Sequence, residues 1–213
     1  MHPATVSQFQ RDSDVTHVGN GVFRGELSAG WAIGAVPNGG YVMAVAARAL
    51  AAALDRPHPA SITGHYLAPT EAGPVQIETQ IIRQGRRISV ATARLVQNGQ
   101  ERVRLVGAFT DFAQSTGVDL DTVSPPEMAA LDQCVSMSEL SPRPVAIHEH
   151  LLARLDPDSA THWQRGHPNA DAELRTWLGF ADASDPDVLC LPLVADALPP
   201  PLFRPGGCGS WWL

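Results

Sequence analysis

Lysine is absent from this chain, whose fifteen strongly basic residues are all arginine. That excludes a lysine Schiff base and the lysine of a phosphate-binding P-loop. Cysteine is scarce: Cys134, Cys190 and Cys208 make an odd count at no metal-ligand spacing, a usage that fits reduced thiols in a cytoplasm. No apolar run is long enough to span a bilayer. The longest, residues 41–54, is interrupted by Arg48. Met1-His2-Pro3 opens no basic region followed by an apolar one, so no targeting segment is read here. The expectation is a soluble cytoplasmic protein without a membrane partner. A net charge of −7 argues against a nucleic-acid partner.

What is present is enough to build a core. The chain has 213 residues, 44% of them hydrophobic and 17% charged, the composition of one large globular domain or two small ones. Charge is unevenly spread. Residues 1–115 carry ten arginines and eight acidic residues, whereas residues 116–213 carry five and fourteen. That shift places a seam near residue 116.

The local pattern divides likewise. Residues 22–27 read as a short strand. Pro37-Asn38-Gly39-Gly40 is a breaker before residues 41–54, a segment of strong helix formers that is apolar on almost every side. Such a helix must be wrapped by other structure. Strands are expected at 61–67, 74–84, 88–97 and 101–112, with Asn98-Gly99 as a two-residue hairpin turn. A regular hairpin there sets Arg94 opposite Val103 and Thr92 opposite Leu105, with Ala91, Ala93 and Ala108 on the face a helix approaches. The expected result is a long antiparallel meander around one buried helix.

Residues 117–144, rich in proline and acids, read as a linker with one helical turn at 127–131. A weaker echo follows: strand candidates at 145–155 and 172–181, then an apolar helix at 187–197 kinked by Pro192. Only residues 202–213 remain after it, so this second unit is expected to lack most of its sheet.

The segments NGGYVMAVAARAL, HYLAPTEAGPVQIETQIIRQGRRISVATARLVQNGQ and AFTDF, in that order, resemble the N-terminal half of acyl-CoA thioesterase II-like proteins. ADALPPPLF resembles the end of their second helix. The resemblance implies an α+β double hot-dog fold, in which an antiparallel sheet wraps a central helix. It implies one complete copy over residues 1–115, a linker at 116–141, and a partial second copy at 142–213. It further implies a hydrolase of fatty-acid metabolism that cleaves acyl-CoA to free acid and coenzyme A and needs no metal or redox cofactor. Sheet edges left open by the missing strands make a homo-oligomer the expectation. The family's catalytic Asp corresponds to Asp196. Its Ser or Thr and its Gln lie on later strands, for which this chain, ending at Leu213, is expected to have no counterpart.

Thioester hydrolysis needs a polarised carbonyl and an activated water. Asn38, Gly39 and Gly40 stand at a helix N-terminus, where free N–H groups and partial positive charge favour a developing oxyanion. The same residues would equally serve as a cap and a close-packing point. Asp196 is the candidate base, or else an ordinary helix-terminal residue. His65 and Tyr66 are candidates to line the acyl pocket, though a strand histidine is commonly an interior residue. Arg86 and Arg87 are candidates for coenzyme A phosphates, though a turn is also where solvated arginines sit. His148-Glu149-His150 would put two imidazoles on one strand face, as in some metal sites, but without HExxH spacing. No G-x-S-x-G nucleophile elbow exists. Two readings therefore stand: a thioesterase, or a non-catalytic acyl-binding or interaction module of the same fold.

Overall fold

The computed structural model describes residues 6–116, 118, 120–141, 143–165 and 173–199. After a short helix α1 (Gln8–Asp12), strands β1 (Val15–Gly19) and β2 (Val22–Leu27) form a hairpin. A tiny ribbon, β3 (Ala32–Ile33) with β4 (Val36–Pro37), leads into helix α2 (Gly39–Leu54). Then come β5 (His58–Tyr66), β6 (Gly73–Arg83), β7 (Ser89–Gln97) and β8 (Gln100–Thr110).

The helix forms where its composition places it, and both ends have local causes. Asn38 Oδ1 accepts the Tyr41 N–H at 2.9 Å. Asp55 adopts a left-handed φ of 51° and returns its N–H to Ala51 and Ala52. Tyr41, Leu50 and Leu54 are fully buried, as are Ile77, Leu95 and Leu105 on the sheet that covers the helix. Each such aliphatic side chain contributes about 1.5–3 kcal/mol relative to exposure.

The sheet is antiparallel and curls around α2, but it is not a simple meander. Its order is β1-β2-β6-β7-β8-β5. The chain leaves α2 at the far flank, so β5 pairs with β8 instead of with its successor β6, whose outer neighbour is β2. The hairpin register also differs from the regular one. Leu95 faces Val103 while Val96 faces Glu101, leaving Arg102 as an extra residue. That bulge moves Arg94 opposite Arg104 and Thr92 opposite Val106. Gly107, not Ala108, therefore shares the inner face with Ala91 and Ala93. A Cβ on Gly107 would lie 3.1 Å from Leu50 Cδ1.

Beyond residue 116, β10 (Leu151–Leu155) lies between β11 (Thr176–Phe180) and β9 (Val135–Ser136). Helices α3 (Met137–Leu140) and α4 (Pro157–Arg165) accompany them. Several expectations are corrected here. The supposed linker supplies β9 and α3, and its turn falls at Leu131–Gln133 instead of 127–131. The segment 145–155 is strand only from Leu151, because Ala146–Glu149 forms a 3-10 turn. Pro192 does not kink a helix. It stands in the first turn of α5 (Leu191–Asp196), where its missing N–H costs nothing. Helix α4 carried no signal that was read.

Residues on both sides of position 116 share one core: Ile147, Leu151, Phe180, Leu189 and Leu193 cluster with the residues of α2. The joint is aromatic. Phe9 stacks on Phe180 at 5.3 Å, and Trp31 stacks on Tyr41 at 5.6 Å and on His150 at 4.8 Å. A second small cluster holds Met137, Ala153, Leu155 and Ala160. Among the described residues no helix is long and apolar enough to cross a membrane. Residues 200–213, on which the expectation about missing strands fell, lie outside the described residues.

Candidate active site

Helix α5 ends against the beginning of α2, and Asp196 is its last residue. Asp196 Oδ2 accepts the Gly40 N–H at 2.9 Å and Asn38 Nδ2 at 3.0 Å. The Asn38 amide also donates to the Asp196 carbonyl at 2.9 Å. Asn38 thus faces two ways, capping its own helix through Oδ1 and holding α5 through Nδ2. The carboxylate rests at the positive end of α2, where partial charge and free donors favour it.

This approach demands glycine. A Cβ on Gly40 would lie 2.2 Å from the Pro192 carbonyl oxygen, closer than any side chain allows. A Cβ on Gly39 would lie 3.1 Å from Asp196 Oδ2 and 3.2 Å from the Tyr66 hydroxyl oxygen. Tyr66, at the end of β5, closes the cluster by donating its hydroxyl to the Gly39 carbonyl at 2.7 Å. Burial, and secondarily the Asp196 charge, pushes its phenol above the ordinary tyrosine range.

The donors of the first turn are largely committed. Gly40 N–H serves Asp196, Tyr41 N–H serves Asn38 Oδ1, and Val42 N–H serves the Asn38 carbonyl at 3.0 Å. Among the described residues, the Gly39 N–H and Asp196 Oδ1 take no partner. One donor of the turn therefore remains, and Asn38 with the two glycines also serves the cap and the close packing of α5.

The structure therefore brings together Asn38, Gly39, Gly40, Tyr66 and Asp196. It does not bring His65, Arg86 or Arg87 to them. His65 is exposed and sits opposite Arg104, with its strand neighbour Tyr66 on the helix side. Arg86 and Arg87 are exposed in the β6–β7 connection. The Arg87 carbonyl accepts from Thr110, which pairs with His58 at the far end of β5. Eight residues of strand, about 26 Å, separate His58 from Tyr66.

The histidine pair belongs to a 3-10 turn, not to a strand face. His150 stacks on Trp31, while His148 is half-buried, with desolvation lowering its pKa. Among the described residues no group of three or more His, Cys, Asp or Glu side chains is placed to hold a metal. Beside α5 lies an open, mainly apolar pocket of about 400 Å³, walled by Leu178, Phe180, Val188, Leu191 and Val194. The contact of Asn38 with Asp196 across 158 residues left no mark in the sequence. An amide at a helix start reads as a cap whether or not it has a second partner.

A six-stranded antiparallel sheet curled around one apolar helix defines a hot-dog fold, and comparison with known proteins agrees. Residues 27–111 match the family model for the acyl-CoA thioesterase N-terminal domain. The match covers less than half of the chain. A crystal structure assigned to thioesterase II from Thermobifida fusca YX superposes with a TM-score of 0.81 at 27% identity, covering 92% of this chain and 74% of that one. A protein with hot dog fold from Alicyclobacillus acidocaldarius superposes at 0.79 and 19% identity, over 94% and 74% of the two chains. In sequence, an uncharacterized protein of Mycobacterium tuberculosis is 36% identical over 101 residues, which is 45% of this chain and 35% of that protein. The thioesterase-like protein TwmA of Talaromyces wortmannii is 33% identical over 94 residues, 43% and 27% of the two. The chain thus aligns with about a third of the length of the curated relatives it matches.

Proposed function

We propose that this protein is an acyl-CoA thioesterase-like hydrolase, with Asp196 as general base. The observation that carries the reading is the Asp196 carboxylate. It is fixed through Oδ2 by Asn38 and Gly40 and retains Oδ1 for a water, at the N-terminus of the central helix of a thioesterase-family domain. A water on Oδ1 attacks the thioester carbon and passes its proton to the carboxylate. The carbonyl oxygen, as it gains charge, takes the remaining Gly39 N–H and the positive end of α2. The C–S bond then breaks, and the thiolate of coenzyme A leaves and recovers the proton. Tyr66 holds the Gly39 peptide in place from the carbonyl side. His65, Arg86 and Arg87 have no role at the reacting atoms.

One observation favours the second reading, a non-catalytic acyl-binding module: the carboxylate itself occupies the Gly40 N–H, a donor a substrate carbonyl would otherwise use. Release of coenzyme A from acetyl- to palmitoyl-CoA distinguishes the two. Turnover that falls by at least two orders of magnitude in Asp196→Asn, with the far-ultraviolet spectrum unchanged, supports the hydrolase. Saturable acyl-CoA binding without turnover in the unsubstituted protein supports the module.

The same reading places the protein in the cytoplasm, where acyl-CoA is found, and in fatty-acid metabolism. It also includes self-association. β5 is an edge strand, and Leu191 and Val194 on α5 are 56% and 42% exposed. Light scattering after size exclusion that gives the mass of one chain would remove that part.

A further inference from the structure

Arg48 is the one charged residue in the sixteen of α2, and its side chain is only 16% exposed. Placing a cation there costs free energy unless its donors are met. Nη2 donates to Asp187 Oδ2 at 2.9 Å, Nε donates to Ser13 Oγ at 2.7 Å, and the guanidinium carbon lies 5.5 Å from the centre of the Phe9 ring. Asp187 opens the turn that leads into α5. Its Oδ1 accepts the Leu189 N–H at 3.0 Å, and its carbonyl accepts the Cys190 N–H at 3.1 Å.

The segment 187–196 is therefore tied to α2 at two points. Asp187 is held by Arg48, and Asp196 by Asn38 and Gly40, eight residues or about 12 Å along the helix axis from Arg48. Between the ties the contact is apolar, and greasy surfaces slide more readily than they separate. Burial alone does not account for an arginine here, since apolar residues commonly replace a buried ion pair at no loss of stability. What an ion pair adds is register. We infer that Arg48 is a positioning residue: its hold on Asp187 fixes how segment 187–196 lies along α2, and so delivers the Asp196 carboxylate to the Gly40 N–H. Only the kinetic consequence rests on the hydrolase reading; the structural one stands apart from it.

The test uses the full chain and the ¹H–¹⁵N resonance of Gly40 as a reporter of its bond to Asp196. Asp196→Ala marks the position of a Gly40 amide without its acceptor. In Arg48→Met the Gly40 resonance moves toward that position, while those of Ile77 and Leu105 in the covering sheet stay in place. Arg48→Met/Asp187→Asn, which leaves no unpaired buried charge and keeps the Oδ1 acceptor for the Leu189 N–H, gives the same displacement and no more, because the two side chains act as one unit. Arg48→Lys restores part of it. With decanoyl-CoA, kcat falls up to ~100-fold in Arg48→Met while KM stays within about twofold, the consequence of a displaced catalytic group. A lowered melting temperature with the Gly40 resonance unmoved, in the double variant where the single one does not fold, overturns the inference and leaves Arg48 as a stabilising contact. If the unsubstituted protein hydrolyses no thioester, the hydrolase reading fails while the Gly40 resonance still decides the role of Arg48.

Discussion

The carboxylate of Asp196 accepts the backbone N–H of Gly40 at 2.9 Å across 156 residues of chain. The bond joins the end of one helix to the beginning of another, and each supplies what the other lacks: a charge for the free donors, and donors for the charge. The shape of the site follows from it.

Asn38 serves both helices, and two variants separate its duties. Asn38→Ala removes the cap and the hold on Asp196, and should cost about 1–2 kcal/mol in urea unfolding. Asn38→Ser restores the cap but has no amide to reach Asp196. It should regain most of the stability while thioester hydrolysis stays low.

Gly40→Ala should be the more damaging of the two glycine substitutions. Its Cβ would meet the Pro192 carbonyl at 2.2 Å and the Leu193 Cα at 2.8 Å, backbone atoms that can yield only if α5 moves away. A loss of about 1–3 kcal/mol in thermal or urea unfolding is expected, as for other overpacked sites. Gly39→Ala meets its neighbours at 3.1–3.2 Å, and they are side chains. It should be milder in stability and yet severe in activity, since those side chains are Tyr66 and Asp196.

Tyr66→Phe removes the hydroxyl that Gly39 accepts. The cost should be about 1 kcal/mol, measurable by urea unfolding. Thioester hydrolysis should fall as well, because the hydroxyl no longer holds the Gly39 peptide beside the reacting carbonyl.

Acid should loosen the outer face of the large sheet before its core. Glu101 is held down to a pKa of about 2, first by its hydrogen bond from Arg104 and then by Arg94. A carboxylate depressed in the folded state stabilises it above the unfolded value of 4.5, and that share is lost as pH falls toward about 2. Glu101→Gln should therefore flatten the stability profile between about pH 4.5 and 2 and leave its shape near neutrality unchanged.

Cys190 should react slowly with iodoacetamide at pH 8. Burial, helped by the nearby Asp187 charge, raises its thiol to a pKa of about 11, so little thiolate is present. Mass spectrometry of the labelled protein checks this. Rapid labelling at Cys190 would mean that the 187–196 segment opens.

The helix over 39–54 and the hairpin at Asn98-Gly99 were legible because their causes are local: a run of helix formers, a left-handed turn, an alternation of period two. The bulge at Arg102 was not. An extra residue leaves the alternation of its strand intact on either side, and only pairing with β7 and the bond of its carbonyl to Leu67 at 2.8 Å reveal it. The flank that β5 joins was hidden for the same reason, since its sequence suits β6 as well as β8. Residues 187–197 read as a helix kinked by proline, because neither the apolar run nor Pro192 tells where the first turn begins.

By itself the sequence determined that an apolar helix would be wrapped by antiparallel strands. Of Asn38, Gly39, Gly40, Tyr66 and Asp196, turn chemistry marks the first three and the family resemblance marks Asp196, while Tyr66 stands out no more than His65, Arg86 or Arg87. Propensity, periodicity and turn chemistry act over a few residues, and those are printed in the chain. Tertiary structure alone decided that these five meet, that Arg86 and Arg87 stand some 26 Å of strand away from them, and that Arg48 reaches Asp187. Such contacts are settled by which buried charges and donors find each other when the core closes, and a linear pattern carries no record of that.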